Sequence, residues 1–420
     1  MTSLSADPAM PGRAGHRAGL DGLVAAALGA AATSLTIFLV GALAVQIRSA
    51  LYLSLNGLGL AVSVYYLAAA VAAVPVGRLA ESLGGARTMR IAAVGAVICL
   101  ALVAAVARNL LALAAILAVA GTLDVAMQSA TNLFLVRRIV TGRRGLAFGV
   151  KQAAVPFTSL LGGLAVPALG LTIGWRWAFA VAAVLAAAAV WVIPPPRTTL
   201  AERRRARGQQ PDVALAPLVV LAVGFGLSML SITALTTFLV TSGVAAGLGK
   251  GTAGLLVGLA GAVAVLVRIT VGVRADRAGA RHLRLVGGML LFGATGYVLL
   301  AAGTATRLVL FTVLGAVVTY GAGWGWNGVF NMAISVSHPA APAKASGITL
   351  TGNRIAGIAG PFLFAQVVTH DSYSVAWLAA AGSALAAATT MFAGDRMLSA
   401  SQARLAAGRP PTADATEPLK

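Results

Sequence analysis

Charge is scarce in this chain of 420 residues: Asp, Glu, Lys and Arg make up only 10% of it, against roughly a quarter in a soluble domain. Acid is scarcer still, with 11 acidic residues facing 31 basic ones. The only cysteine, Cys99, sits inside an apolar run, which excludes a disulfide framework and leaves no cysteine-based metal spacing. The four histidines, His16, His282, His338 and His370, fall in expected loops or tails. Neither a phosphate-binding P-loop, a metal pair nor a nucleophile elbow is visible. Enzymatic catalysis and ATP-driven pumping therefore lack their parts, and no cofactor or metal is expected.

Apolar sequence is what the chain has in abundance, at 59% hydrophobic residues and a mean hydropathy of +0.90. A spanning helix needs about 20 apolar residues. Twelve such segments can be drawn, at about 22–45, 55–76, 88–107, 110–136, 145–170, 177–193, 214–242, 252–272, 284–303, 307–335, 346–369 and 374–393. The expected fold is an all-α polytopic membrane protein of twelve transmembrane helices in two pseudo-symmetric six-helix bundles. Between the sixes, PPPRTTLAERRRARGQQPDVA has prolines that stop a helix and arginines that hydrocarbon does not tolerate. The domain reading is a tail over 1–21, a bundle over 22–193, a linker over 194–213, a second bundle over 214–393 and a tail over 394–420. Both tails are polar enough to be disordered. Ala42-Leu43-Ala44 resembles a signal-peptide cleavage site, but the apolar run before it is too long for a signal's core, so an uncleaved first helix is expected.

Basic residues orient the spans. Arg78, Arg87 and Arg90, then Arg137, Arg138, Arg143 and Arg144, then the linker arginines, then Arg274, Arg277, Arg281 and Arg284 all fall on one face. The opposite face holds one basic residue per loop: Arg48, Arg108, Arg176, Lys250 and Arg307. The positive-inside rule makes the first face cytoplasmic, with both termini on it. It also accounts for the net charge of +20 without nucleic acid, so the expected macromolecular surroundings are a lipid bilayer alone.

Two interruptions of the apolar sequence match. Gly77-x-x-Ala80-Glu81-x-x-Gly84 follows the second span, and Gly272-x-x-Ala275-Asp276-x-x-Gly279 follows the eighth. Gly149 and Gly347 open equivalent helices, and Gln128 and Asn132 recur as Asn327 and Asn331. Such repetition means a doubled six-helix unit.

On these residues the chain resembles the major facilitator superfamily of secondary transporters, from its first span to its last. The superfamily's loop pattern Gly-x-Leu-Ala-[Asp/Glu]-x-x-Gly-x-Arg is met by Gly77, Leu79, Ala80, Glu81 and Gly84, with Arg87 one place late. The second copy keeps Gly272, Asp276, Arg277, Gly279 and Arg281 in register. Arg144-Gly145 and Gly174-Trp-Arg-Trp177 are also familiar there. The resemblance implies alternating access to a small-molecule site, in a protein that works as a monomer in a cell membrane. The abundance of Ala, Gly and Arg fits a bacterial one. Physically, the glycines suit a tight turn and close helix approach. The acids can meet helix N-termini and arginines, so Glu81 and Asp276 are expected to latch the cytoplasmic side in one state, against the plainer alternative that they fix loop shape.

A charge at membrane depth costs about 2.5 to 3.5 kcal/mol even on the forgiving insertion scale. Asp124, Lys151, Arg354 and Arg268 bear that cost. Arg268 lies toward the inner end of its span and is expected to snorkel to the surface. Lys151 and Arg354, on pseudo-equivalent helices, suit an anionic solute, or else Lys151 pairs with Asp124 and Arg354 bonds to carbonyls. Asp124, the one acid deep in a span, is the candidate proton site. Asp124, Gln128 and Asn132 share a helical face, as do Trp324, Asn327 and Asn331. Since the resemblance makes the first, fourth, seventh and tenth helices line the pathway, both faces are expected to look into it. Thr33, Ser34, Ser231 and Thr233 read more simply as interhelical glue. Pro156 and Gly357-x-x-Gly360-Pro361 mark possible kinks. The expected cargo is a small polar or anionic solute, proton-coupled; the alternative is export of hydrophobic drugs or a natural product.

Overall fold

The computed structural model describes residues 13–138, 144–193, 215–277, 282–338 and 342–407, and every regular element among them is helical. In the first half these are α1 (Arg13–Ala42), the short α2 (Ala44–Leu51), α3 (Leu55–Leu83), α4 (Gly85–Val106), α5 (Leu110–Arg138), α6 (Arg144–Ala165) and α7 (Trp175–Val192). A π-helical segment, Val166–Gly174, joins α6 to α7. The second half holds α8 (Leu215–Ala245), α9 (Lys250–Arg277), α10 (His282–Thr306), α11 (Val309–Val318), α12 (Asn327–Ser337), α13 (Pro342–His370) and α14 (Tyr373–Ala407). A second π segment, Thr319–Gly323, follows α11.

Among the described residues ten segments are long and apolar enough to cross a bilayer, against the twelve expected. One of them, Val150–Val192, is 43 residues long, about twice what one crossing needs. It contains two helices that meet at Gly174, whose φ of 107° turns the chain. The other difference is α13, whose half around Asn353 and Arg354 is too polar to count. The bounds also differ at both ends. Helix α1 already begins at Arg13, and α14 runs to Ala407, past the boundary expected at 393. Asp395, placed in the tail on sequence grounds, is buried and pairs with Arg284 at 2.8 Å. The linker lies outside the described residues.

Local chemistry explains the helix ends. Ser54 accepts the Gly57 N–H at 3.0 Å and Asn109 accepts that of Ala112 at 2.9 Å, each capping a helix that starts on the face opposite the linker. The Gly174-Trp-Arg-Trp177 stretch caps a neighbour: Arg176 donates to the carbonyls of Ala104 at 2.9 Å and Ala107 at 2.7 Å, at the otherwise unsatisfied end of α4.

Helix packing follows the repeat. Helices α1 and α6 pack together as α8 and α13 do, and α4 packs on α7 as α10 does on α14. The halves meet through α3 with α13, α6 with α9 and α1 with α8. At Gly163 a Cβ would lie 2.2 Å from the Gly258 nitrogen and 2.6 Å from the Gly254 oxygen, so only glycine permits α6 and α9 to touch backbone to backbone. Polar bonds join the halves near the same face: Asn56 donates to Gln366 at 2.9 Å and accepts from Thr369 at 3.2 Å. Deeper in, Ser159 and Tyr320 hydroxyls are 3.1 Å apart, and the Phe38 and Trp324 rings stack at 5.7 Å. These contacts hold the halves together from the face opposite the linker down to mid-depth.

Candidate functional site

Asp124 gathers partners from other helices of its own half. Its Oδ1 accepts from the Thr33 hydroxyl at 2.9 Å and from the Ser34 hydroxyl at 3.0 Å, both on α1. Tyr65, buried on α3, is a further neighbour. Thr33 and Ser34 are buried and join α1 to α5, the interhelical role expected of small hydroxyls, but nothing in the sequence marked Asp124 as their partner. Ser231 behaves as that reasoning expects, donating to the Ala380 carbonyl at 2.7 Å. Thr233 does not, since its hydroxyl bonds within α8.

Lys151, 3% exposed, donates to Asn132 Oδ1 at 2.6 Å. It forms no ion pair with Asp124 among the described residues, although its charge and that of Arg354 both act on that carboxyl group. Arg354 crosses between the halves: its Nη1 donates to the Ala69 carbonyl of α3 at 3.0 Å. The structure therefore brings Asp124, Lys151 and Arg354 into one neighbourhood, with Asn132 exposed and Gln128 half-buried along the same side of α5.

Arg268 departs from expectation. Nine residues, about 13 Å of helix, separate it from Arg277 at the end of α9, too far for the side chain to reach the surface. It is 4% exposed. Its Nη1 donates to the Gln152 carbonyl of α6, its Nη2 to the Trp324 carbonyl at 3.1 Å, and its guanidinium lies 4.8 Å from the centre of the Trp324 ring. A signal for this existed. Pro156 has no N–H for the carbonyl four residues back, which is that of Gln152.

The tenth span is not one helix. Its glycine-rich run Gly321-Ala-Gly-Trp-Gly-Trp326 breaks into a π segment and a turn, so Trp324 does not belong to the helix that carries Asn327 and Asn331. Trp324 is buried against Phe38 and Tyr320; Asn327 is buried and Asn331 half-buried.

Of the loop motifs, Gly84 takes φ 85° between α3 and α4, a conformation that favours glycine. Gly77 and Gly272 lie within helices, and a Cβ on either would meet nothing within 4 Å. Neither makes a close helix approach among the described residues. Arg87 is exposed. Gly279 and Arg281 lie outside the described residues, as do the side chains of Glu81, Asp276 and Arg277.

The family model of the Major Facilitator Superfamily matches residues 26–361, most of the chain. The chain belongs to the Major Facilitator Superfamily. Two curated relatives, both named "Uncharacterized MFS-type transporter", come from Mycobacterium tuberculosis strains CDC 1551 and H37Rv. Each is 28% identical over 255 residues, which is 57% of this chain and 56% of the relative. The match thus spans little more than half the length of those relatives. Among solved structures, a D-xylose-proton symporter superposes with a TM-score of 0.69 over 90% of this chain and 97% of its own. The human organic anion transporter MFSD10 (TETRAN) does so with 0.65 over 89% and 99%. Both are 17% identical to this chain and share its fold. In this superfamily member the Asp124 neighbourhood is built mainly by the first half and is entered by Arg354 from the second, whereas Arg268 reaches from the second half into the first.

Proposed function

We propose that this protein is a secondary active transporter that moves a small organic solute, polar or anionic, across a cell membrane by alternating access, with a proton as coupling ion. The observation that carries this is a charge imbalance at membrane depth. Lys151, Arg268 and Arg354 stand against Asp124 alone, and these four form no ion pair among the described residues. Each buried cation costs about 2.5 to 3.5 kcal/mol, and an oxyanion of the solute would lower that cost by charge-assisted hydrogen bonds. Asp124 is the group whose protonation changes the balance. Ionised, it offsets one cation; protonated, it leaves more positive charge for the solute. That linkage couples proton and solute.

With the arginine-rich face cytoplasmic, both termini and the linker are inside, and the joined face points outward. The protein then stands in its inward-facing arrangement, working as a monomer. Glu81 and Asp276 latch the cytoplasmic side in the opposite arrangement, which is why Gly77 and Gly272 have no close neighbours in this one.

Thermal unfolding of the detergent-purified protein with a panel of organic anions and of hydrophobic drugs tests this reading, because a bound solute raises stability by mass action. Organic anions are expected to raise the unfolding temperature. Stabilisation by hydrophobic cations alone would overturn the anionic assignment in favour of drug or natural-product export.

A further inference from the structure

Arg268 is an odd partner for a backbone carbonyl. In an α-helix the carbonyl of residue i accepts from the N–H of residue i+4, and Pro156 removes that donor from Gln152. The free acceptor is taken by a guanidinium from the other half of the molecule, which also bonds to the Trp324 carbonyl beside the broken tenth span and lies over the Trp324 ring. Its Nε–H is buried and has no partner among the described residues. A full positive charge, 4% exposed, is thus held by two neutral oxygens and an aromatic face, with its Nε–H among the donors left over. Neutral carbonyls are the weaker class of acceptor for arginine. A carboxylate engages two of its donors at once and supplies the opposite charge.

We propose that Arg268 binds the carboxylate of the solute, and that the Gln152 carbonyl exposed by Pro156 is the acceptor the solute replaces. This rests on the anionic reading above and narrows it to small organic carboxylates. It also says how binding loosens the molecule. Arg268 bonds α9 of the second half to α6 of the first, so moving the guanidinium onto the solute removes a polar tie between the halves at the moment of binding. The carbonyl left behind is no worse off than in any proline-kinked helix that faces polar groups.

The sign of one substitution separates this from a merely structural arginine. Pro156→Ala restores the N–H that satisfies Gln152 within α6, so Arg268 no longer has that carbonyl to give up. Carboxylate affinity should then rise severalfold, whereas a structural clamp that lost its acceptor would leave affinity unchanged or lower it.

The experiment is a titration of the full-length detergent-purified protein with acetate, lactate and benzoate, read by thermal unfolding and by tryptophan fluorescence, since Trp324 lies against the guanidinium. At least one carboxylate should stabilise the parent protein. Arg268→Gln should weaken it by about tenfold or more, as loss of a charge-assisted hydrogen-bond pair does. Arg268→Lys, which keeps the charge and so guards against a simple folding failure, should recover part of the loss, and Pro156→Ala should tighten binding. If Arg268→Gln and Arg268→Lys titrate like the parent while Lys151→Gln or Arg354→Gln does not, the anionic reading stands and this assignment fails. If no carboxylate acts on the parent, this assignment fails, and the anionic reading fails with it only when the wider panel of organic anions is also without effect.

Discussion

Asn132 holds the Lys151 ammonium at 2.6 Å, while Asp124, the acid nearest in sequence to that lysine, holds the hydroxyls of Thr33 and Ser34 instead. The lysine and the aspartate sense each other's charge without closing into an ion pair. A closed pair would hold the carboxyl group in one charge state, so two separately bonded groups suit the proton exchange proposed for Asp124.

Asp124→Asn removes that proton exchange and keeps an acceptor for Thr33 and Ser34. Proteoliposomes carrying the variant should retain solute exchange at equal pH but lose accumulation driven by an imposed pH gradient. Undiminished accumulation would rule Asp124 out as the coupling site.

Asn132→Leu leaves the Lys151 ammonium without the partner seen here, and the loss should be about 1 to 3 kcal/mol, read as a lower unfolding temperature in detergent. Adding Lys151→Met removes the stranded charge and should recover most of it, because a buried pair replaced by apolar groups of similar size is often neutral. A double variant no more stable than Asn132→Leu alone would show that the bond matters little.

Gly163→Val puts a side chain into the α6–α9 contact, where even a Cβ would meet backbone at 2.2 Å. The fold of each half should survive, but the halves can no longer close on the face opposite the linker. A cysteine introduced for Gln366, at the joined face, should react faster with a water-soluble maleimide than in the parent. Equal labelling rates would mean that α6 and α9 yield without opening that face.

Arg176→Ala uncaps α4 and should lower stability by roughly 1.5 to 3 kcal/mol, the usual range for hydrogen bonds to a charged group. Asp395→Asn should do far less, about 0 to 1 kcal/mol, since its partner Arg284 is 56% exposed. The ranking of the two in unfolding scans is the measurement, and a reversed order would contradict it.

Asp276→Asn should slow transport and shift inside-face accessibility, with Glu81→Gln weaker in both, if the motif acids latch the cytoplasmic side. Unchanged rate together with unchanged accessibility would reduce these acids to loop formers.

Hydropathy and charge determine much of this protein by themselves. Runs of about 20 apolar residues must become helices, because a bilayer offers backbone groups no other partner. Arginine-rich punctuation must stay in water, and a repeated Gly-x-x-Ala-acid motif makes two alike halves. Segment ends were less legible: α14 continues beyond residue 393 and places Asp395 against Arg284, and the tenth span breaks at a glycine run that is still apolar enough to read as one helix. What only the tertiary structure decided is how each helix is turned about its axis and where the two halves touch. Helices this uniformly apolar carry little sign of their rotation, so sequence could offer a Lys151–Asp124 pair, carbonyl bonds for Arg354 or an anionic solute for both cations without choosing among them. The packed structure sends Lys151 to Asn132, Arg354 across to Ala69 and Arg268 across to the carbonyl beside Pro156. The last two are contacts over long sequence separations, and they exist only once α3 meets α13 and α6 meets α9.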